Sequence, residues 1–362
     1  TFYAPFTYSL NKWNFYVSPN YRVNHRKNAS SIETEYTDRY KKKSLGEVDL
    51  AHPNEVLYYY QPSITVGADY MVGKGHTLSL QMIGERTNSR SKTNYDLART
   101  DSGLKSRASQ ESRDKYKTDD YTVGLFYSGQ IKKLNIKSDI SYNNYSINED
   151  RLYRETGMDD NENLTHGKKH FIRYFFNITF PFAKKWNFYI DYSLIWRKYI
   201  NTNRATNENI YTSINNRNRV GAMLSYQPVD NFSIRVGMGW NNVIDRNSAG
   251  RVSHTTWEPG GWLFWKPFEK LTCRVNYTCD TSYPSLDQLS SNQYRVDRWM
   301  LHQGNPFLKQ TVQHHIYSTL TFDKWFTVYQ RTLVTKDGIY SIYNKGNGGI
   351  ITESNFNANE SQ

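Results

Sequence analysis

One stretch, residues 186–197, most constrains what this chain can fold into, because its side chains alternate in character over twelve residues. The apolar or aromatic positions are every second residue: Trp186, Phe188, Ile190, Tyr192, Leu194 and Trp196. Successive side chains of a strand point to opposite faces, so this stretch has one apolar face and one mainly polar face. Strands of soluble sheets usually have about five or six residues, whereas a strand that crosses a bilayer needs about nine to eleven, with aromatic residues at both interfaces. The pattern therefore predicts a membrane-spanning strand.

Composition is consistent with many such strands. The chain has 362 residues, 15% of them aromatic, yet its mean hydropathy is −0.80. A helical membrane protein is excluded because the sequence has no run of about eighteen apolar residues. The aromatic content argues against disorder. A transmembrane β-barrel fits, since only one face of each strand must be apolar.

The same alternation recurs along the chain and predicts fourteen strands, with a fifteenth at residues 350–352. Connections of two to five residues alternate with long polar stretches, at about residues 24–54, 86–118 and 147–168, which we interpret as loops. Short turns at one rim and long loops at the other are typical of outer-membrane barrels. A soluble meander or sandwich is the competing interpretation, but soluble sheets rarely contain so many long strands with aromatic outer faces.

Three of the short turns resemble one another and place a lysine beside a tryptophan. Trp13, Trp186 and Trp325 each follow such a turn. Because tryptophan and lysine favour the membrane–water interface, these three residues are predicted interfacial anchors.

The fold class predicted from these patterns is all-β, a transmembrane antiparallel up-and-down β-barrel. Bacterial barrels close with an even number of strands, and lipid offers no partner to an open sheet edge. We therefore expect residues 1–362 to form part of one barrel domain, with about 14–15 strands of a larger total and with further protein on both sides.

The formal net charge of +12 is scattered through polar positions, with Lys41–Lys43 as the main run. Solvated loops explain such charge, and contact with anionic lipid headgroups is the alternative. Cys273 and Cys279 both fall on an apolar strand face, roughly 20 Å apart, which is too far for a disulfide. We interpret them as small hydrophobic residues.

The sequence shows no catalytic constellation and no metal or cofactor site. His314 and His315 are adjacent on a strand, so they point to opposite faces and cannot chelate one ion together. The candidate functional residues are polar side chains predicted to project into the lumen: Arg235, Asn241, Arg274, Asn276 and Asp280. They could hold a plug in place or contact a polar solute.

Two short elements lie in an irregular stretch between strands. The first is Tyr283-Pro284, with Leu289 five residues after the proline. The second contains Gly304, Asn305, Pro306, Leu308 and Lys309. Together with the barrel pattern they resemble the TonB-dependent outer-membrane receptors, in particular the Bacteroidota outer-membrane β-barrel group. Gln310 departs from that pattern, which usually has a proline there.

This resemblance implies a barrel of twenty-two strands around an N-terminal plug, in the outer membrane of a Gram-negative bacterium. It also implies uptake of a scarce nutrient (a metal chelate, glycan, peptide or vitamin), driven by the TonB complex acting through the plug. A surface lipoprotein could accompany such a barrel, and nucleic acid is not an expected partner. A passive porin or export channel, a surface adhesin or structural barrel, and an outer-membrane enzyme remain as alternatives.

Overall fold

The computed structural model describes residues 1–29, 32–38, 43–101, 104–247, 250–296, 300–346 and 350–361. Within these ranges the chain forms nineteen strands and one short helix. The strands are β1 (Phe2–Tyr3), β2 (Phe6–Leu10), β3 (Trp13–Ala29), β4 (Ile32–Asp38), β5 (Lys43–Gly73), β6 (His76–Asp101), β7 (Leu104–Ile131), β8 (Leu134–Glu155), β9 (Asn161–Ala183), β10 (Trp186–Asn203), β11 (Asn209–Val229), β12 (Phe232–Asn247), β13 (Gly250–Phe268), β14 (Leu271–Ser282), β15 (Gln293–Arg295), β16 (Met300–Gln303), β17 (Thr311–Phe322), β18 (Phe326–Lys345) and β19 (Ile351–Ser361). Helix α1 spans Leu286–Leu289.

All nineteen strands belong to one sheet. Long strands that follow one another in the chain pair antiparallel from β5 to β14, after which β14 pairs with β17, β17 with β18 and β18 with β19. The predicted all-β up-and-down antiparallel fold is therefore confirmed. The first of the fifteen predicted strands covers both β1 and β2, and the others correspond to β3, β5–β14 and β17–β19. The sequence pattern missed the short β4, β15 and β16. Within the described residues no helix is long and apolar enough to cross a membrane.

The outer face of the sheet carries large apolar side chains that no other described part of the chain covers. Val123, Leu125, Val236 and Met238 are all exposed. Soluble monomers rarely expose a continuous apolar patch of more than a few hundred Å². Lipid is the solvent that suits a surface of this kind, with backbone hydrogen bonds satisfied inside the sheet.

The short turns form one rim, which we call the turn rim. Asn11, Lys132, Lys185 and Asp323 have positive φ values of 53°, 53°, 71° and 49° in four of these two- or three-residue turns. The predicted anchors Trp13 and Trp186 begin strands at this rim, and Trp325 lies in the turn one residue before β18. Trp186 stacks on Tyr226, with ring centroids 4.2 Å apart.

The opposite rim, which we call the ribbon rim, differs from the expectation. The polar stretches predicted as loops are largely continuous strands. For example, β6 and β7 pair without a break from His76 opposite Gly129 to Asp101 opposite Leu104. Backbone hydrogen bonds maintain these ribbons, and water can solvate both of their faces. The apolar alternation that identifies a strand is consequently absent there, which explains the wrong prediction. Residues 41–42 of the lysine run and residues 347–349, just before the predicted fifteenth strand, lie outside the described residues.

The positive φ of Lys185 gives a test of the turn rim. Replacing Lys185 with glycine should raise the free energy of unfolding by about 1 kcal/mol, because glycine relieves the left-handed backbone cost that other residues carry. Urea titration of the reconstituted barrel, followed by tryptophan fluorescence, measures the change. Lys184→Gly is the matched control at a position without positive φ and should not stabilise. Equal shifts for both variants would contradict the turn geometry.

Candidate functional site

The candidate site lies on the inner face of the barrel, where the chain between β14 and β17 packs against the wall. We call this segment the strap; it comprises residues 283–296 and 300–310. Its described parts contain α1, β15 and β16. It contacts the wall at β8, β11, β12 and β13, and β16 also pairs with β19 in parallel. The sequence predicted this region only as irregular.

The two motif elements of the strap fold against each other. The Asn305 backbone N–H donates to the Gln288 carbonyl oxygen at 2.6 Å, which joins the second element to α1. Gly304 is required by this approach, because a Cβ at that position would overlap the carbonyl oxygens of Ser290 and Asp287.

An apolar cluster holds the folded strap to the wall. Leu289 and Leu308, one from each motif element, are buried together with Tyr211 of β11. Ser291 adds a hydrogen bond from its hydroxyl to the Ile210 carbonyl oxygen at 3.1 Å. This is the buried hydrophobic cluster found among the described residues, and it lies between the strap and β11.

A polar hub joins the strap to the wall through Asn241 of β12, whose exposed fraction is 0%. Its amide nitrogen donates to the Tyr283 hydroxyl and to Glu258 Oε1, both at 2.9 Å, and its amide oxygen accepts from Arg217 Nε at 3.1 Å. The Arg217 guanidinium also lies over the Tyr283 ring, 4.7 Å from its centroid. Asn241 therefore uses both its donors and its acceptor.

Glu258 of β13 is the acidic centre of the same network. It accepts from Arg219 Nε at 2.7 Å and from the Thr281 hydroxyl at 2.8 Å. Arg219 also donates to Asp191 of β10, so one guanidinium joins two carboxylates. Burying a carboxylate is costly unless it is paired and hydrogen-bonded, and Glu258 meets both conditions.

The five residues predicted to project into the lumen all lie on the face of the sheet opposite to the exposed Val236 and Met238. Asn241 is buried at the hub, whereas Arg235, Arg274 and Asp280 are exposed and Asn276 is partly exposed. In register, Arg235 lies opposite Trp262 and Arg274 lies opposite Phe264. The structure thus connects Asn241 to the strap and leaves the other four along the wall.

Arg235 and Arg274 each lie over an aromatic ring. The Arg235 guanidinium is 5.3 Å from the Trp262 ring centroid, and that of Arg274 is 5.7 Å from the Phe264 centroid. The two rings are nearly parallel, with an interplanar angle of 11°. Arg235, Trp262 and Asn276 also line a wall cavity of about 420 Å³. The rings hold the cations in place without neutralising them, so the wall can attract an anionic or polar solute.

The far end of the strap reaches β8. Arg151 lies over the Tyr294 ring at 4.1 Å from its centroid and bonds to Glu149. Burial raises the pKa of Tyr116 to about 12 and also raises the pKa of Tyr294, so both phenols remain protonated at neutral pH. Burial by itself lowers the pKa of Arg151. The nearby Glu149 and the two phenols raise it by more, so the pKa of Arg151 lies above its usual value.

Several functional candidates had no clear signal in the sequence. Glu258 lies on β13, where Trp262 and Phe264 are apolar but face inward and therefore obscure the alternation. Arg217 and Arg219 lie on the polar face of β11, opposite to the apolar face that Val220 begins. The alternation of this strand could therefore have identified them. Within the described ranges, no group of three or more metal-ligating side chains forms a metal site.

Replacing Asn241 tests the hub. Asn241→Ala should lower the free energy of unfolding by about 1–3 kcal/mol, because Glu258, Arg217 and Tyr283 each lose a buried partner. Chemical denaturation of the reconstituted protein measures this loss. Asn242→Ala is the control, since that partly exposed side chain contributes one bond to Thr255. A similar loss in both variants would contradict the role of the hub.

The apolar attachment of the strap gives a second test. Leu308→Ala should release the strap, because truncating a buried leucine costs about 2–5 kcal/mol, and cleavage within residues 283–310 should become at least tenfold faster. Limited proteolysis with mass-spectrometric mapping measures the rate. The control is Phe307→Ala, because Phe307 is 71% exposed. Unchanged cleavage in the Leu308 variant would show that the cluster does not hold the strap.

Comparison with solved structures identifies the fold. The chain superposes on the siderophore receptor PirA from Acinetobacter baumannii with a TM-score of 0.53 and 11% identity, covering 99% of this chain and 57% of that one. For the copper transporter OprC the TM-score is 0.62 and the identity is 8%, covering 96% of this chain and 57% of that one. For a mutant of the ferric enterobactin receptor PfeA from Pseudomonas aeruginosa the TM-score is 0.55 and the identity is 11%, covering 98% of this chain and 56% of that one.

These similarities show the barrel fold of the TonB-dependent receptors, as the two motif elements led us to expect. The chain spans a little more than half the length of the solved structures it matches. No family model matches the sequence, and no curated protein does. Assignment to the Bacteroidota group stays a prediction.

Proposed function

We propose that this chain forms the barrel of an outer-membrane receptor that takes up a scarce nutrient, namely a metal chelate, glycan, peptide or vitamin. The observation that carries the proposal is the hydrogen-bonded polar inner wall with its strap, inside a sheet whose outer face is apolar. The fold shared with siderophore receptors and a copper transporter supports it. The outer membrane of a Gram-negative bacterium is the proposed location, because antiparallel barrels of this kind are adapted to that membrane.

The lumen supports a selective receptor better than an open pore. The strap and the Asn241–Glu258 network occupy the inner side of β11–β13, whereas a passive channel needs an unobstructed aqueous path. Arg235 lines the wall cavity, and both Arg235 and Arg274 are exposed. Neither arginine has an acidic partner within the part of the chain that the structure describes. These cations are the proposed contacts for anionic groups of the solute or of a plug. The parent protein would supply that plug, its link to the TonB complex and the further strands.

Uptake measurements test this function. Deleting the gene should reduce uptake of one member of a labelled panel (a ferric chelate, cobalamin, an oligosaccharide and a peptide mixture) at least tenfold, and a plasmid copy should restore it. A protonophore should abolish the restored uptake, because TonB-driven transport depends on inner-membrane energy. Restored uptake that resists the protonophore would instead indicate a passive channel. Unchanged uptake of the whole panel, with loss of surface attachment, would indicate an adhesin.

The lumen cations give a residue-level test on the substrate found in that panel. Arg235→Gln should raise the KM for uptake about tenfold without changing surface abundance, since a hydrogen bond to a charged group is worth about 1.5–3 kcal/mol. Arg251→Gln, the same substitution on the outward register of β13, is the control and should leave the KM unchanged. An unchanged KM in the Arg235 variant would remove this arginine from the solute path.

A further inference from the structure

Three cations converge on the outer face of the sheet, close to the ribbon rim. Arg90 of β6 and Lys115 and Lys117 of β7 are all exposed. Their register matches that of Leu78, Leu80, Val123 and Leu125, so they project away from the lumen. We call these three residues the outer basic patch. Nothing in the proposed transport function uses it.

The register brings like charges together. Arg90 lies directly opposite Lys115, and Lys117 follows two residues later on the same face. Directly opposed side chains of an antiparallel pair have Cβ atoms about 4.5–5.5 Å apart, and like charges there are destabilising. Such an arrangement is stabilised when an anion binds between the cations.

The neighbouring acids are already engaged with other cations. Asp119 pairs with Arg86 at 2.5 Å, and Glu111 pairs with Arg113 at 2.6 Å and with Lys92 at 3.2 Å. Asp150 lies opposite Lys115 in register, but its carboxylate is 2.7 Å from Arg204. Within the described residues, Arg90, Lys115 and Lys117 therefore have no acidic partner.

The patch lies at the level of an exposed aromatic belt. Arg90 is directly opposite Tyr58 of β5, which is 53% exposed, and Asn88 is opposite Tyr60. Tyr60 in turn meets Tyr21 of β3 edge to face, with centroids 5.2 Å apart. Tyrosines of this kind lie at the headgroup level of a membrane. The cations therefore occupy the layer where lipid phosphates are found.

The surface there is concave. Arg90, Lys115, Lys117 and Arg204 line a depression of about 410 Å³ together with the amide side chains of Asn88 and Asn148. Asp150 also lines it, and this carboxylate is paired with Arg204, so the other three cations remain in excess. Arginine presents paired donors that match a phosphate, and lysine adds a compact point charge. The depression thus combines a net positive charge with neutral hydrogen-bonding groups on the outer face of the sheet.

We propose that the outer basic patch binds the phosphate groups of an anionic lipid in the adjoining leaflet. This inference rests on the membrane placement in the proposed function, but it does not depend on which nutrient is transported. The bound lipid would lie outside the barrel, at the ribbon rim of β6–β8.

Native mass spectrometry of the detergent-purified protein tests the proposal, with bisphosphorylated lipid A as the probe. The triple variant R90Q/K115Q/K117Q should bind at least tenfold more weakly than the unsubstituted protein. The double variant K92Q/R113Q is the matched control, because those outward cations are already paired with Glu111, and it should bind within twofold of the unsubstituted protein. Dephosphorylated lipid A should bind at least tenfold more weakly than the phosphorylated form.

Equal binding by the triple variant, or equal binding of the dephosphorylated lipid, would overturn the proposal. Displacement of the lipid by millimolar inorganic phosphate would also overturn it, in favour of a site for a free anion. Heat-modifiable gel mobility checks that the triple variant is folded. If the triple variant is not folded, the single variant Lys117→Gln is measured in its place, and its binding should be about threefold weaker than that of the unsubstituted protein. Because the measurement requires no transport, failure of uptake and failure of lipid binding are independent results.

Discussion

The backbone hydrogen-bond ladder is the constraint on which the rest of the structure depends. Lipid offers no partner to an amide or a carbonyl, so a chain that crosses it by strands must satisfy every such group between neighbouring strands. That requirement forces the continuous antiparallel pairing from β5 to β14 and leaves the side chains free to differ on the two faces. One face then suits lipid, and the other can carry charged and amide groups. The buried network around Asn241 and Glu258 is therefore a consequence of the same ladder that leaves Val236 and Met238 exposed on the outer face.

Sequence patterns predicted the parts of the fold that have two different solvents on two faces. Alternation located the strands, and it placed Arg235 and Asn241 on the inner face because one register of β12 is apolar and the other polar. The pattern failed at the ribbon rim, where both faces of a strand can meet water and no periodicity remains. It failed again at β13, because Trp262 is aromatic but lies on the inner face, where the alternation would predict a polar residue.

The strap shows a different limit of sequence reasoning. Its two motif elements were recognisable as short strings, but their mutual contact was not. Gly304 is required because the backbone of α1 lies against it, and Leu289 and Leu308 meet only once the chain has turned back on itself. Such contacts depend on three-dimensional proximity without a periodic pattern, so the residues that hold the strap to the wall could not be paired from spacing alone.

The position of the strap has a consequence for the order of assembly. It joins β14 to β17, yet the residues of the wall that it contacts include Tyr211 and Arg151. These belong to β11 and β8, which lie well before the strap in the sequence. Contacts between residues distant in sequence form slowly, because a long loop must close before they contribute. The wall has to exist before the strap can dock on it. The strap is thus the last part of this region to become ordered, and a nascent barrel passes through a stage in which its interior is wider than in the finished protein.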